Sequence, residues 1–187
     1  MTPGIAIKVI ADAFKADEVA VEAYDRRLVA AGMRSTGGRG LNAAQVTSED
    51  VGRLILATLL VQGRHGRTVP IVNEWWNKRL TSKPNQQRLE NLPTRLKAIV
   101  NKRTCKFGAA LSALIEDCVN GELSSAEDRF CLEIVEQDKF ADIKMSPIYA
   151  DLGFTGSFDL NEDRPQVQTT HKVTLKPFLA IAKAMRD

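Results

Sequence analysis

One arrangement of side chains in this sequence is typical of an enzyme, an acid and a lysine two positions apart at Asp142 and Lys144. Glu133 and Glu136 lie on the predicted strand before them. In metal-dependent nucleases of the restriction-enzyme type, such carboxylates hold Mg²⁺ and the lysine helps to orient the attacking water. The same spacing arises on any exposed strand whose charges alternate, and the expected upstream aspartate is not well placed. We therefore expect a solvated strand face and no catalytic residue.

No other motif points to catalysis, a cofactor or a metal ion. The sequence lacks a P-loop, a dinucleotide-binding glycine pattern, a hydrolase nucleophile elbow and a zinc-protease motif. Cys105, Cys118 and Cys131 form no Cys-x-x-Cys pair, and with His65 and His171 they supply too few ligands at close spacing for zinc. We expect buried thiols, a loop histidine and a strand histidine, and neither a metal ion nor a cofactor.

Positive charge is concentrated in the first part of the chain. Residues 1–108 carry 18 Lys and Arg against 9 Asp and Glu, a balance of +9, whereas residues 109–187 carry 8 against 14, a balance of −6. Within residues 26–106 there are 16 basic and 4 acidic side chains, a balance of +12. A field of this sign attracts polyanions, and phosphate backbones are the commonest target. The two halves are therefore expected to bind different partners.

Eight basic residues are the candidates for contact with nucleic acid. They lie on a predicted helix, beside paired glycines or in basic connecting segments: Arg26, Arg27, Arg34, Arg39, Arg64, Arg67, Lys78 and Arg79. Arg34 and Arg39 flank a Gly-Gly pair that suits a tight, exposed hairpin tip, so we expect both to contact DNA. Arg26 has an alternative partner in Glu22, four residues earlier on the helix, and Arg27 has the alternative of a solvated surface.

The segments around these arginines predict three helices. Apolar residues recur at helical spacing over 6–14 and again over 21–31, where Asp17 caps the second helix and Gly32 ends it. A third helix begins at Thr47 or at the serine that follows it, and it is apolar nearly all round. Two short helices joined by about three residues predict a helix-turn-helix, in which the second helix lies in the major groove.

The order of these elements resembles the winged helix-turn-helix of the MerR class and of phage excisionases. The matching segments are AYDRRLVAAGMRSTGGRG at 23–40 and TSEDVGRL at 47–54. They are also similar to a segment that recurs in uncharacterised prophage-type proteins of bacteria. The resemblance implies a DNA-binding domain over residues 1–62, whose second helix and wing face DNA. Because the long dimerising helix of the MerR class is missing, the resemblance implies no effector.

The rest of the chain is expected to form two further parts. Residues 63–108 predict a basic helical segment, where Trp75 and Trp76 cannot both lie on one narrow stripe; interhelical core, a partner surface and base stacking are the alternatives. After Gly121 the apolar period changes from helical to alternating, so residues 109–187 predict a small acidic α+β unit. The expected fold is thus a mainly helical N-terminal part with a winged helix-turn-helix, followed by this α+β unit.

One function is favoured and three alternatives remain. We expect a phage- or prophage-type transcriptional regulator that binds double-stranded DNA as a homodimer or higher homo-oligomer, with a protein partner as a further use of the acidic unit. The alternatives are a DNA-packaging subunit similar to small terminase proteins, a protein-binding inhibitor or adaptor, and the magnesium-dependent nuclease. No apolar run approaches the roughly 20 residues of a membrane span, and no secretion signal is visible, so we expect a cytoplasmic protein.

The absence of catalytic residues is directly testable. We predict that the purified protein leaves supercoiled and single-stranded DNA intact in the presence of Mg²⁺ or Mn²⁺, because its acids are not arranged as a metal site. Gel electrophoresis after prolonged incubation measures this, with Asp142→Ala protein as the control. Cleavage that the Asp142→Ala change abolishes would overturn the prediction and favour the nuclease.

Overall fold

The protein is described by a computed structural model that covers residues 1–36, 45–82, 89–90, 92–102, 104–123, 130–135, 140–145, 150–155 and 170–187. For residues 82, 130–131, 135, 140–145 and 150–155 the description extends to the backbone alone. All structural statements below concern these ranges.

The described residues form seven α-helices and five β-strands. The helices are α1 (Pro3–Phe14), α2 (Glu18–Ala30), α3 (Ser48–Leu60), α4 (Thr68–Trp76), α5 (Thr94–Val100), α6 (Phe107–Val119) and α7 (Leu175–Arg186). The strands are β1 (Arg79–Ser82), β2 (Phe130–Val135), β3 (Phe140–Met145), β4 (Ala150–Thr155) and β5 (Thr170–Thr174). The molecule is thus mainly helical with one small sheet, which confirms the coarse fold class. No helix in the described ranges is long and apolar enough to cross a bilayer.

Local sequence signals set the ends of α2 as predicted. Asp17 accepts a hydrogen bond from the Val19 N–H at 3.1 Å and so caps the helix. At the other end Gly32 takes a left-handed φ of 67°, which costs a glycine nothing, and Met33 donates its N–H to the Leu28 carbonyl. These contacts satisfy backbone groups that a helix otherwise leaves open at its ends.

The helix α3 lies at the centre of the core. Thr47 caps it through a reciprocal pair of hydrogen bonds with Asp50, as the sequence predicted. Its interior residues Leu54, Ile55 and Leu56 are buried, and the helix packs against α1, α2, α4 and α6. A helix that is apolar nearly all round is stable only with neighbours on most sides, and α3 has them.

Trp76 joins α4 to α3 and α6 through two glycines. A Cβ atom added to Gly108 would lie 2.2 Å from the indole ring, and one added to Gly52 would lie 3.1 Å from it. The Arg53 guanidinium lies 4.6 Å from the ring centroid, a cation–π contact. The ring therefore lies close to the backbone of both helices, and at Gly108 it leaves no room for a larger residue.

The short helix α5 takes its cap from another helix. Asp117, on α6, accepts hydrogen bonds from the Arg95 and Leu96 N–H groups at 3.0 and 2.9 Å. Burial raises the pKa of this carboxyl, and the two backbone hydrogen bonds lower it only in part. The position of α5 is thus fixed by a buried acid that lies 21 residues later in the chain than Leu96.

The five strands form one antiparallel sheet in the order β1-β4-β3-β2-β5. The buried side chains Leu132, Ile134 and Val173 lie on one face of β2 and β5, which α7 contacts. The alternating period after Gly121 predicted strands in the region of β2 and β3, whereas β1 lies in the segment that was predicted to be helical. β1 forms because Arg79 and Leu80 pair with the distant strand β4, which local periodicity cannot show.

One hydrophobic core runs through all three predicted parts of the chain. α6 packs against α3, α7 packs against α1, and β1 belongs to the same sheet as the C-terminal strands. The predicted boundaries at residues 62 and 108 therefore do not separate independent cores. The physical reason is that helices α1 to α3 expose apolar faces that α6 and α7 cover.

The close approach of Trp76 to Gly108 gives a stability prediction. We expect Gly108→Ala to lower the free energy of unfolding by about 1–3 kcal/mol, because the added methyl group overlaps the indole ring. Gly4→Ala, at a helix position with open space around it, is the control and should stay within about 1 kcal/mol of the parent. Urea denaturation measures the free energy of unfolding of both variants. Equal stabilities for the two variants would contradict the packing described.

Candidate nucleic-acid interface

The helix α2 turns its two arginines away from the core. Val21, Tyr24 and Leu28 form its buried stripe, so Arg26 and Arg27 lie on the opposite, exposed side. Arg26 keeps 73% of its side chain exposed and pairs with Glu22 at 2.6 Å, the alternative that the spacing allowed. Arg27 is exposed without an ion-pair partner in the described part of the chain.

The segment that follows α3 is a tight basic turn. Gln62 and Gly63 both take positive φ values, of 41° and 81°, and a short 3-10 turn follows over His65–Arg67. Arg64 donates to the Leu60 and Val61 carbonyls, which the end of α3 leaves open. Arg64 and Arg67 are both exposed. The Arg64 side chain is thus bound to the end of α3, and Arg67 lies three residues later in the same turn.

Tyr24 joins this turn to α2. Its ring lies 5.1 Å from the His65 ring, centroid to centroid, and its hydroxyl accepts a hydrogen bond from the Gly63 N–H at 3.4 Å. Arg27 lies one helical turn beyond Tyr24, and Arg64 and Arg67 flank His65. We call Arg27, Arg64 and Arg67 the arginine face. Sequence analysis nominated all three but could not show that α2 packs against the turn after α3, because 37 residues separate Arg27 from Arg64.

The prediction that Arg34 lies at an exposed loop tip is wrong. Its side chain is only 9% exposed and forms an ion pair with the equally buried Asp25. Nε donates to Asp25 Oδ1 at 2.5 Å, and Nη2 donates to Asp25 Oδ2 at 3.0 Å. Nη1 donates to the Ser35 carbonyl. A guanidinium bound in this way has little left to offer a phosphate. The second predicted wing arginine, Arg39, lies outside the described residues.

Lys78 and Arg79 have opposite surroundings, although they are adjacent. Lys78 is buried, with its ammonium 4.3 Å from the centroid of a Trp75 ring and 4.0 Å from a Glu74 carboxylate, so its prediction as a DNA contact is wrong. Arg79 is exposed, and a backbone bridge pairs it with Lys106. The exposed Lys106 is an additional candidate that the sequence could not place beside Arg79.

The tryptophans provide no surface on which a base could stack. Trp75 is buried beneath Lys78, and the Trp76 ring lies between Arg53 and the backbone of Gly52 and Gly108. Their rings belong to the interhelical core, the first of the three alternatives that the sequence left open. In the described ranges the exposed large apolar residues are aliphatic.

Two buried acids fix the chain on either side of residues 37–44. Asp25 holds Arg34, as described above. Asp50, which is 1% exposed, accepts hydrogen bonds from the Ser35 N–H, the Thr47 N–H and the Thr47 hydroxyl at 2.8–2.9 Å. Burial alone would raise the pKa of Asp50, but these hydrogen bonds outweigh it and lower the pKa. Ser35 and Thr47 are therefore fixed relative to the start of α3.

The winged helix-turn-helix stays a prediction. α1 and α2 are joined by a short turn in which Lys15 takes a φ of 53°, and the described residues 34–36 and 45–47 are not in strands. The predicted wing tip lies outside the described residues. Comparisons of the chain with protein-family models, with curated proteins and with solved structures give no match.

The acids of the C-terminal sheet do not show a metal site. The strand register places Asp142 opposite Glu133, and the Glu133 carboxylate lies 3.3 Å from the Lys172 ammonium. Across the described residues, no three His, Cys, Asp or Glu side chains come together to hold a metal. The Cys118 thiol is buried, and burial, with the nearby Asp117, raises its pKa to about 12. Only the backbone of Asp142 and Lys144 is described, so the expectation that they are not catalytic stays a prediction.

The lowered pKa of Asp50 gives a prediction with a definite sign. Because the folded-state pKa lies below the unfolded value of 3.8, the ionised carboxylate stabilises the fold above that pH, and this stability is lost as the pH falls through the folded-state pKa. We expect Asp50→Asn to lower the free energy of unfolding by about 1–3 kcal/mol at neutral pH, because an acceptor for buried donors is lost. The deficit should shrink below about pH 4.

Urea denaturation across a pH series measures this dependence. The exposed change Asp12→Asn is the matched control and should alter stability by no more than about 0.5 kcal/mol. A deficit for Asp50→Asn that stays constant from neutral to acidic pH would show that the charge of Asp50 is not the source of its effect.

Proposed function

We propose that this protein binds duplex DNA through the arginine face. The observation that supports the proposal is the contact between Tyr24 and His65, which packs α2, the helix that carries Arg27, against the turn that carries Arg64 and Arg67. Guanidinium groups bind phosphate oxygens through paired hydrogen bonds. A rigid group of such cations suits a regularly charged backbone.

The surroundings of the arginine face leave its charge available. Arg27 and Arg67 are exposed, and neither has an ion-pair partner within the described ranges. This distinguishes them from Arg26, Arg53 and Arg95, which pair with glutamates. Each protein cation that neutralises a phosphate releases a counterion from the DNA, which makes the affinity depend on salt. Because Arg27 and Arg67 have no acidic partner in the described ranges, we expect them to contribute most to this salt dependence.

A second pair of exposed basic residues is a further candidate for contact with DNA. Arg79 and Lys106 lie beyond the end of α4, whereas Arg67 lies just before its start. The nine residues of α4 span about 13 Å, which equals the axial rise of about four base pairs of duplex DNA. The Lys106 ammonium donates a hydrogen bond to Asn77 Oδ1 at 2.8 Å, which holds it near the end of α4.

The buried aromatic rings favour duplex over single-stranded DNA. Proteins that bind single strands stack successive bases on exposed aromatic side chains. Here both tryptophans and Tyr24 are packed into the core or its edge, and so the arginine face offers contacts to phosphate rather than to bases. Binding through phosphates alone would tolerate many sequences.

The proposal includes the regulatory role expected from the sequence. A phage- or prophage-type regulator would act on DNA in the bacterial cytoplasm, and a homodimer would place two arginine faces on paired half-sites. The arginine face supports the DNA-binding part of this proposal. The regulatory role and the dimer rest on the resemblance of residues 23–40 and 47–54 alone.

Removing two exposed cations should weaken DNA binding without disturbing the fold. We predict that the double variant Arg27→Gln, Arg67→Gln reduces the slope of log affinity against log salt by about two units, one for each lost phosphate contact. Duplex DNA of random sequence should bind more tightly than its single strand. Fluorescence anisotropy across a salt series measures both quantities.

The matched control is the double variant Lys176→Gln, Arg186→Gln, which removes the same charge from exposed positions on α7. Its salt slope should equal that of the parent. Equal slopes for all three proteins, or equal losses in both double variants, would show that the arginine face is not the DNA site.

A further inference from the structure

A cleft of about 570 Å³ opens between β5 and the ends of two helices. Its apolar lining comes from Phe14 at the end of α1, Leu59 at the end of α3, and Val173 and Pro177. Phe14 is held there by an edge-to-face contact with Phe178, with ring centroids 6.4 Å apart. The cleft is therefore lined by four elements, α1, α3, β5 and α7, and it shares no residue with the arginine face.

The cleft runs along the outer edge of the sheet. All five residues of β5, from Thr170 to Thr174, line it. Only alternate residues of a strand share one face, so a cleft lined by every residue lies along the strand edge. β5 is the last strand in the sheet order and pairs with β2 on its other side. Such an edge presents backbone donors and acceptors to whatever occupies the cleft.

The positive charge at the rim of the cleft favours an acidic occupant. Lys15 and Lys172 lie on its rim, both exposed, and none of its described lining residues is acidic. Lys172 lies 3.3 Å from Glu133 yet keeps 67% of its side chain exposed, so a further carboxylate can reach it from solvent. A peptide that adds as a strand to a sheet edge gains affinity from backbone hydrogen bonds, and its alternate side chains determine the specificity.

We propose that this cleft binds an extended acidic peptide of a partner protein, which adds to the sheet beside β5. Its alternate apolar side chains contact the surface formed by Phe14, Leu59 and Pro177, and its acidic side chains pair with Lys15 and Lys172. Five residues of strand span about 17 Å, so the segment recognised is about five residues long.

Two other occupants fit the cleft less well. A second copy of the chain, paired antiparallel through β5 about Lys172, would bring two lysines together, and like charges opposite each other destabilise a strand pair. A DNA backbone would contact the lysines but would leave the apolar lining and the strand edge unused. Both occupants are outcomes that the experiment below distinguishes.

The test uses the full chain and three labelled synthetic peptides: one that alternates Glu with Val, one that alternates Lys with Val, and an acidic one N-methylated at alternate residues. We expect the acidic peptide to bind, as measured by anisotropy, and to shift the amide NMR signals of residues 170–174. The basic peptide and the N-methylated peptide should not bind, because one lacks the charge and the other cannot complete the backbone hydrogen bonds.

Protein variants complete the experiment. The double change Lys15→Gln, Lys172→Gln should weaken acidic-peptide binding about fivefold or more, whereas Lys8→Gln, at an exposed position outside the cleft, should not. Absence of acidic-peptide binding, or binding that survives N-methylation, would overturn the proposal. Shifts at residues 170–174 that follow protein concentration alone would assign the edge to a second copy, and shifts caused by duplex DNA would assign it to nucleic acid; either would overturn the proposal.

Discussion

The carboxylate of Asp50 is the interaction on which the arrangement of the first three helices depends. It is buried at the start of α3, where a charge without partners would be strongly unfavourable. Three donors compensate it: the N–H and hydroxyl of Thr47, which form the cap of α3, and the N–H of Ser35, which comes from the chain leaving α2. One side chain thus both begins a core helix and fixes the preceding helix relative to it.

The position of the proposed DNA-binding surface follows from that constraint. Because Ser35 is fixed, Arg34 lies beside Asp25, and their buried ion pair closes the end of α2 against the core. Tyr24, the residue before Asp25, then contacts His65 and the turn after α3. The exposed arginines on both sides of that contact are held by the same packing that buries Asp25 and Asp50. An ion pair of this kind stabilises less than its geometry suggests, but losing one partner is strongly destabilising.

The sequence predicts those parts of the fold that local interactions determine. Asp17, Gly32, Thr47 and Gly121 mark helix ends that the structure confirms, since each cap is formed by residues within a few positions of the helix end. The alternation over 130–135 and 140–145 also predicts strands correctly, because adjacent strands in one sheet share a two-residue period.

Sequence analysis missed the features that depend on contacts between residues far apart in the chain. Arg34 was expected at a loop tip, and this expectation is wrong because Arg34 and Asp25 bury each other. Lys78 was expected on the surface, but the Trp75 ring covers it. The grouping of Arg27 with Arg67 depends on an aromatic contact between α2 and a turn 41 residues later, which no local pattern encodes.

Amide hydrogen exchange of the full chain, with and without a random-sequence duplex at low salt, tests the central claim that the packing of Tyr24 on His65 creates the DNA-binding surface. We predict slower exchange over residues 61–67 and at the C-terminal end of α2 when DNA is present, with β5 and α7 unchanged. Slower exchange confined to residues 170–187, or no binding of duplex DNA at low salt, would contradict the account.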